Sequence, residues 1–258
     1  MKVNVILIVL MVLMITSCSP RKDEKVATSK ARIQRISLDE AAQYISNFLV
    51  HDQFGKIAVS QAIGGSFDVK VFETPADRQG VLFWYCVSDA SSYPAFFLGM
   101  EHVAKYDTTN VPKVPVDELR VPETFLYTGG GTSLDEVKEF LITQTKPVQP
   151  TGGTLKVDEA KLFIQNFKDL VDSVGNCDLD NCKYPQGFFD SKSNDDMTAF
   201  LSHKPITVRY YFGYDTSYKP NAIRIILIGA NEAGENIILA TRDEGTILQK
   251  SFPPPPIL

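Results

Sequence analysis

Histidine is scarce in this chain, at three of 258 residues, and the three stand at His51, His102 and His203 with no pair at metal-ligand spacing. No Gly-x-Ser-x-Gly elbow is present either, so the usual local signatures of hydrolytic and metal catalysis are missing. Positive charge is not concentrated anywhere. With formal charge -5 and no basic tract interleaved with aromatics, nucleic acid is excluded as a partner. A Gly-rich stretch does occur at Gly129-Gly130-Gly131 ahead of a helix start, but the lysine of a phosphate-binding loop is absent. Asp135 and Glu136 occupy the first turn instead, where they repel phosphate. No cofactor is implied. A long apolar run is lacking too: Val5 to Ile15 is unbroken, yet a helix needs about 20 such residues to cross a bilayer.

What that short run does have is a basic residue before it, Lys2, and the residues Ile15-Thr16-Ser17-Cys18 at its end. A basic start, a short apolar core and small residues before a cut point are the pattern of an export signal. The last four residues resemble the lipobox of bacterial lipoproteins. The resemblance implies a signal peptide over 1–17, cleavage before Cys18, and acyl chains on the sulfur and the new amino group of Cys18. One chain would hold weakly, whereas several make a stable membrane anchor, at about 0.8 kcal/mol per buried methylene. The alternative is an uncleaved hydrophobic anchor with an incidental cysteine. Residues 18–32 are polar and read as a flexible tether spanning on the order of 20 Å. Lys22-Asp23-Glu24 resembles the charged signal that follows the lipidated cysteine in surface-displayed Bacteroidetes lipoproteins, with ordinary tether charge as the alternative. The expected location is therefore the cell envelope, at the outer membrane, facing the periplasm or the surface.

Lipidation uses one of four cysteines and leaves Cys86, Cys177 and Cys182. Cys177 and Cys182 lie close in sequence and an envelope compartment permits oxidation, so a small-ring disulfide is expected there. Cys86 lies in the apolar run VLFWYCV and reads as a buried small hydrophobe. Around the cysteine pair, Asp178, Asp180, Asp190, Asp195 and Asp196 cluster. Without the Gly and distal Glu of a calcium loop they read as a solvated acidic segment, with Asp178 and Asp180 the weak metal candidates.

Internal similarity organises the rest. SLDEAAQYISNF, from Ser37, aligns without gaps to KVDEAKLFIQNF, from Lys156, and both place apolar residues at three-and-four spacing. Ser37 with Glu40 forms a capping box, which Lys156 cannot do. Gly65-Ser66-Phe67-Asp68 answers Gly187-Phe188-Phe189-Asp190, and VLFWYCV from Val81 answers VRYYFGY from Val208. Asp89 and Pro94, then Asp215 and Pro220, close turns before returning strands in which Leu98-Gly99 is matched to Ile228-Gly229. A further strand, turn and helix follow in the first copy, the helix capped by Ser133 with Glu136. The expected fold is α+β, two tandem copies of a helix plus antiparallel sheet unit. The first repeat spans 33–145, a Pro- and Gly-marked linker 146–154, and the second repeat 155–258 with a polyproline end at Pro253 to Pro256.

VRYYFGYDTSYKPNAIRIILIGANEAGENII with the FPPPP that follows resembles a recurrent family of Bacteroidetes proteins that carry an aromatic hairpin and have no assigned reaction. The resemblance covers about 187–258 and implies a fold, not an activity. On a hairpin alternate residues face opposite sides. One aromatic set fills the core; the other is either covered by the companion copy or exposed as a recognition face made of Trp84, Tyr93, Tyr211 and Tyr218. The sequence thus points to a lipid-anchored, non-catalytic binding or scaffolding module for an envelope protein or glycan. An envelope hydrolase acting on peptide or glycan at the cleft between the copies is the competing reading.

Overall fold

The computed structural model describes residues 34–51, 54, 62–88, 93–106, 112–127, 131–145, 152–173, 186–190, 195–217, 222–239 and 245–252. The segments expected to be a signal peptide (1–17), a tether (18–32) and a polyproline end, with Cys18, Cys177, Cys182, Asp178, Asp180 and Tyr218, lie outside them. Four helices are described: α1 (Leu38–Val50), α2 (Leu134–Thr143), α3 (Val157–Ser173) and α4 (Asp195–Ser202). The strands are β1 (Gln34–Arg35), β2 (Gly64–Asp68), β3 (Gly80–Val87), β4 (Phe96–Val103), β5 (Leu119–Val121), β6 (Thr124–Leu126), β7 (Gly153–Leu155), β8 (Gln186–Asp190), β9 (Thr207–Asp215), β10 (Ala222–Ala230) and β11 (Ile247–Phe252). They form two antiparallel sheets, one ordered β1-β11-β10-β9-β2-β6 and the other β7-β5-β4-β3-β8. The chain is an α+β protein.

Both expected capping boxes are present. The Ser37 hydroxyl accepts from the Glu40 N–H while the Glu40 carboxylate accepts from the Ser37 N–H, and Ser133 with Glu136 repeats the arrangement. Each satisfies backbone groups that a helix start leaves open. The apolar face of α1, with Ala41, Ala42, Ile45, Phe48 and Leu49 buried, packs on β9. It comes closest at Gly213, where an added Cβ would stand 2.8 Å from that of Tyr44. Helix α3 covers β3: Ala160, Phe163 and Ile164 share a cluster with Leu82, Trp84 and Cys86. Between the sheets lies a core of rings. Phe67 meets Phe83 at 5.7 Å, Tyr85 meets Phe212 at 6.1 Å, and the Leu98 N–H donates to the Tyr210 oxygen at 3.2 Å.

Two sequence expectations are corrected by this topology. The halves do not sit as side-by-side tandem sheet units, because each sheet takes strands from both: β2 of the first half pairs with β9 of the second, and β8 of the second with β3 of the first. Second, the register of the hairpins sets Trp84 against Gly99 and Tyr211 against Ile226, so Gly229 occupies the place of His102 and not of Gly99.

Candidate functional site

Of the two readings of the second aromatic set, the described residues show the covered one for Trp84 and Tyr211. Trp84 and Tyr211 are both 0% exposed, Trp84 beneath α3 and Tyr211 against Phe140 of α2 at a ring distance of 6.2 Å. Tyr93 is half-buried and stacked on Phe97 at 5.2 Å, and Tyr218 lies outside the described residues. Both faces of each hairpin are covered, one by the opposing sheet and one by a helix. Large rings gain more from burial there than from contact with a ligand.

The histidines stand on separate elements. His51 follows α1 with its ring 4.6 Å from that of Tyr214, His102 on β4 bonds the Val71 carbonyl at 2.6 Å, and the His203 N–H closes the end of α4 on Phe200. Among the described residues no group of three or more His, Cys, Asp or Glu could hold a metal ion. Asp195 and Asp196, counted in the acidic cluster, fall in the first turn of α4, where the helix dipole favours them, and Asp196 pairs with Arg35 at 2.7 Å. Burial pushes the Cys86 thiol up to about 12, which leaves it an unreactive core side chain. The N–H groups ahead of α2 are also taken: those of Thr132 and Ser133 donate to Glu136, at 3.2 and 3.0 Å. Hydrogen bonds from the Ser133 hydroxyl and these backbone groups hold the Glu136 carboxyl below its ordinary value.

Two buried charges escaped the sequence reading. Arg209, in the middle of β9, has its guanidinium wrapped in neutral acceptors: Asn236 Oδ1 at 2.7 Å and the carbonyls of Gly234, Thr145 and Gln144 at 2.7, 2.9 and 3.4 Å. Asn236 in turn donates to the Leu141 carbonyl at 2.7 Å. Together they satisfy the open carbonyls at the end of α2, and a cation at a helix C-terminus is favourable there. Desolvation lowers the Arg209 pKa from its ordinary value. Glu101, on β4, accepts from Trp84 Nε1 at 2.8 Å and from the Val116 and Asp117 N–H groups at 3.2 and 3.3 Å. Burial raises its carboxyl above the usual range despite these bonds. A single charged residue inside an apolar strand, as in VRYYFGY and FFLGMEHV, is the signal that marks both.

Asn236, which accepts from Arg209, also lines an open groove of about 510 Å³. Its walls are Ile36, Ser37, Leu38 and Asp39 at the start of α1, Lys138 and Ile142 on α2, and Asn236, Ile238, Leu239, Thr246 and Ile247 from the second half. The Ser37 capping box fixes one rim, and an ion pair between Lys138 and Asp39 ties α1 to α2 across it. Ile142 and Leu239 remain 56% and 41% exposed. Aliphatic walls that also carry the charged Asp39 and Lys138, two hydroxyls and an amide suit an extended ligand with both apolar and polar side chains. The lining contains no histidine, cysteine or aromatic residue. No protein-family model matches the chain, and neither a curated protein nor a solved structure matches it.

Proposed function

We propose that the chain is a lipid-anchored envelope lipoprotein whose folded part is a non-catalytic binding module with its ligand site in the groove between α1, α2 and residues 236–247. The observation that carries this reading is the apolar leader ending in Ile15-Thr16-Ser17-Cys18 and giving way at once to a polar tether. The segment read as a tether, residues 18–32, leads in sequence into β1 and so into Ile36 and Ser37 of the groove rim. A groove lined by aliphatic side chains and no aromatic ring favours a peptide segment of an envelope protein over a glycan, since sugars are commonly gripped by aromatic rings.

Cys18→Ser tests the anchor. The variant should leave the membrane fraction and lose acyl mass, and equal retention with wild type would remove the anchor from the account. Ile142→Lys and Leu239→Lys test the groove. Both side chains are exposed, so the fold tolerates them, and each should weaken capture of a stoichiometric envelope protein at least tenfold relative to wild type. Capture indifferent to both variants would discard the groove, and turnover of peptide or glycan by the purified chain would move the assignment to a hydrolase.

A further inference from the structure

The two sheets have the same plan. In the first, the meander β9-β10-β11 of the second half is flanked by β1 and β2 of the first. In the other, the meander β3-β4-β5 of the first half is flanked by β7 and β8 of the second. Only β6 has no counterpart. The match extends to individual residues. Val81 faces Phe189 as Val208 faces Phe67, Leu82 faces Phe188 as Arg209 faces Ser66, and Phe83 faces Gly187 as Tyr210 faces Gly65. On the far side, Met100 faces Arg120 as Leu227 faces Leu248, and Arg120 faces Thr154 as Leu248 faces Arg35. A slip of one residue would turn every side chain to the wrong face, so identical registers at both flanks specify one arrangement used twice.

The helices obey the same rule. Asn47 of α1 donates its amide to the Tyr214 carbonyl at 3.1 Å, and Asn166 of α3, its partner in the sequence repeat, donates to the Val87 carbonyl at 3.2 Å. Phe48 lies 5.5 Å from Phe212, and Phe167 lies 4.9 Å from Tyr85. In each case the helix of one half caps the hairpin of the other.

We infer that the chain is an interlocked pair of half-molecules joined by a linker: the β1-α1-β2 clasp of the first half grips the second half's meander, and the β7-α3-β8 clasp of the second grips the first's. The binding partner of each half is the other half. Neither completes a sheet or buries its helix alone, and strand pairing and ring contacts between the halves hold them together. The inference is independent of the ligand assigned to the groove.

Amide hydrogen exchange on the full chain tests it through Asn47→Ala and Asn166→Ala, each of which removes the side-chain hydrogen bond from helix to hairpin, together with an exposed bond from Gln43 in the case of Asn47. Asn47→Ala should speed exchange at least tenfold at Tyr214 and its partner Ile223, and more there than at Val87 and Phe96, and Asn166→Ala should do the reverse. A larger effect on the hairpin of the variant's own half overturns the inference. A protease site inserted between Lys146 and Pro150 of the full chain gives a second readout. After cutting, the pieces should co-elute one to one at the size of the uncut chain and part only in denaturant. Pieces that separate in native buffer, each with its own unfolding transition, also overturn it.

Discussion

Glu101 is the residue whose chemistry is most exposed to pH. Its folded-state pKa lies above the ordinary carboxyl value, so the folded chain holds that proton more tightly than the unfolded chain does. The stability this contributes is complete below the unfolded value and is lost as pH rises through the folded one. Glu101→Gln keeps an acceptor for Trp84 and cannot ionise. Urea titrations between pH 4 and 7 should show the wild type losing ground to this variant as pH rises, and parallel curves would contradict the assignment. Glu101→Ala strands the buried Trp84 N–H and should cost about 1–3 kcal/mol. Trp84 is the chain's single tryptophan, so its emission reports the loss directly. At this scale the sequence revealed residue types and left their surroundings open. Trp84 and Tyr211 read equally well as ligand platform or core, because the alternation of a strand says that two faces exist and not what covers them.

Elements were more readable than residues. The three-and-four spacing behind Ser37 and Lys156 located α1 and α3, the Ser133 and Glu136 capping box located α2, and the aromatic and β-branched runs located β3, β4, β9 and β10. Helix α4 was missed because eight residues give little more than two turns of pattern, and its Asp195-Asp196 start was read as loop charge. Strand β2 was found by its likeness to β8, but its pairing was not. At Gly64 that pairing is tight: an added Cβ would stand 2.0 Å from the Tyr210 carbonyl oxygen, and backbone cannot yield as a flexible side chain does. Gly64→Ala should therefore pry β2 from β9 and cost on the order of 2–3 kcal/mol, measured as a lower urea midpoint. An unchanged midpoint would mean the strands do not approach this closely.

The molecule as a whole should unfold in one step. The core between the sheets takes rings from both halves, with Phe67 on Phe83 and Phe48 on Phe212 and Phe96, so neither half keeps its packing when the other is lost. Emission from Trp84, in one sheet, and far-ultraviolet dichroism, from both, should give coincident urea transitions. Two separated transitions would show halves that stand alone.

The chain's own order of residues determined the caps that start α1 and α2 and the apolar spacing of α1 and α3, and it alone raises the expectation of a leader ending at Cys18, since each depends on neighbours a few positions apart. Only the tertiary structure decided which half's strand lies beside which hairpin, why the aromatic faces are hidden, and where a groove opens. Those outcomes depend on pairings between segments more than a hundred residues apart, such as β2 with β9, Asn47 with Tyr214, and Ile36 with Ile247. A strand edge or an apolar helix face accepts any partner of the right period, and the competition among partners is settled by burial of the whole chain at once.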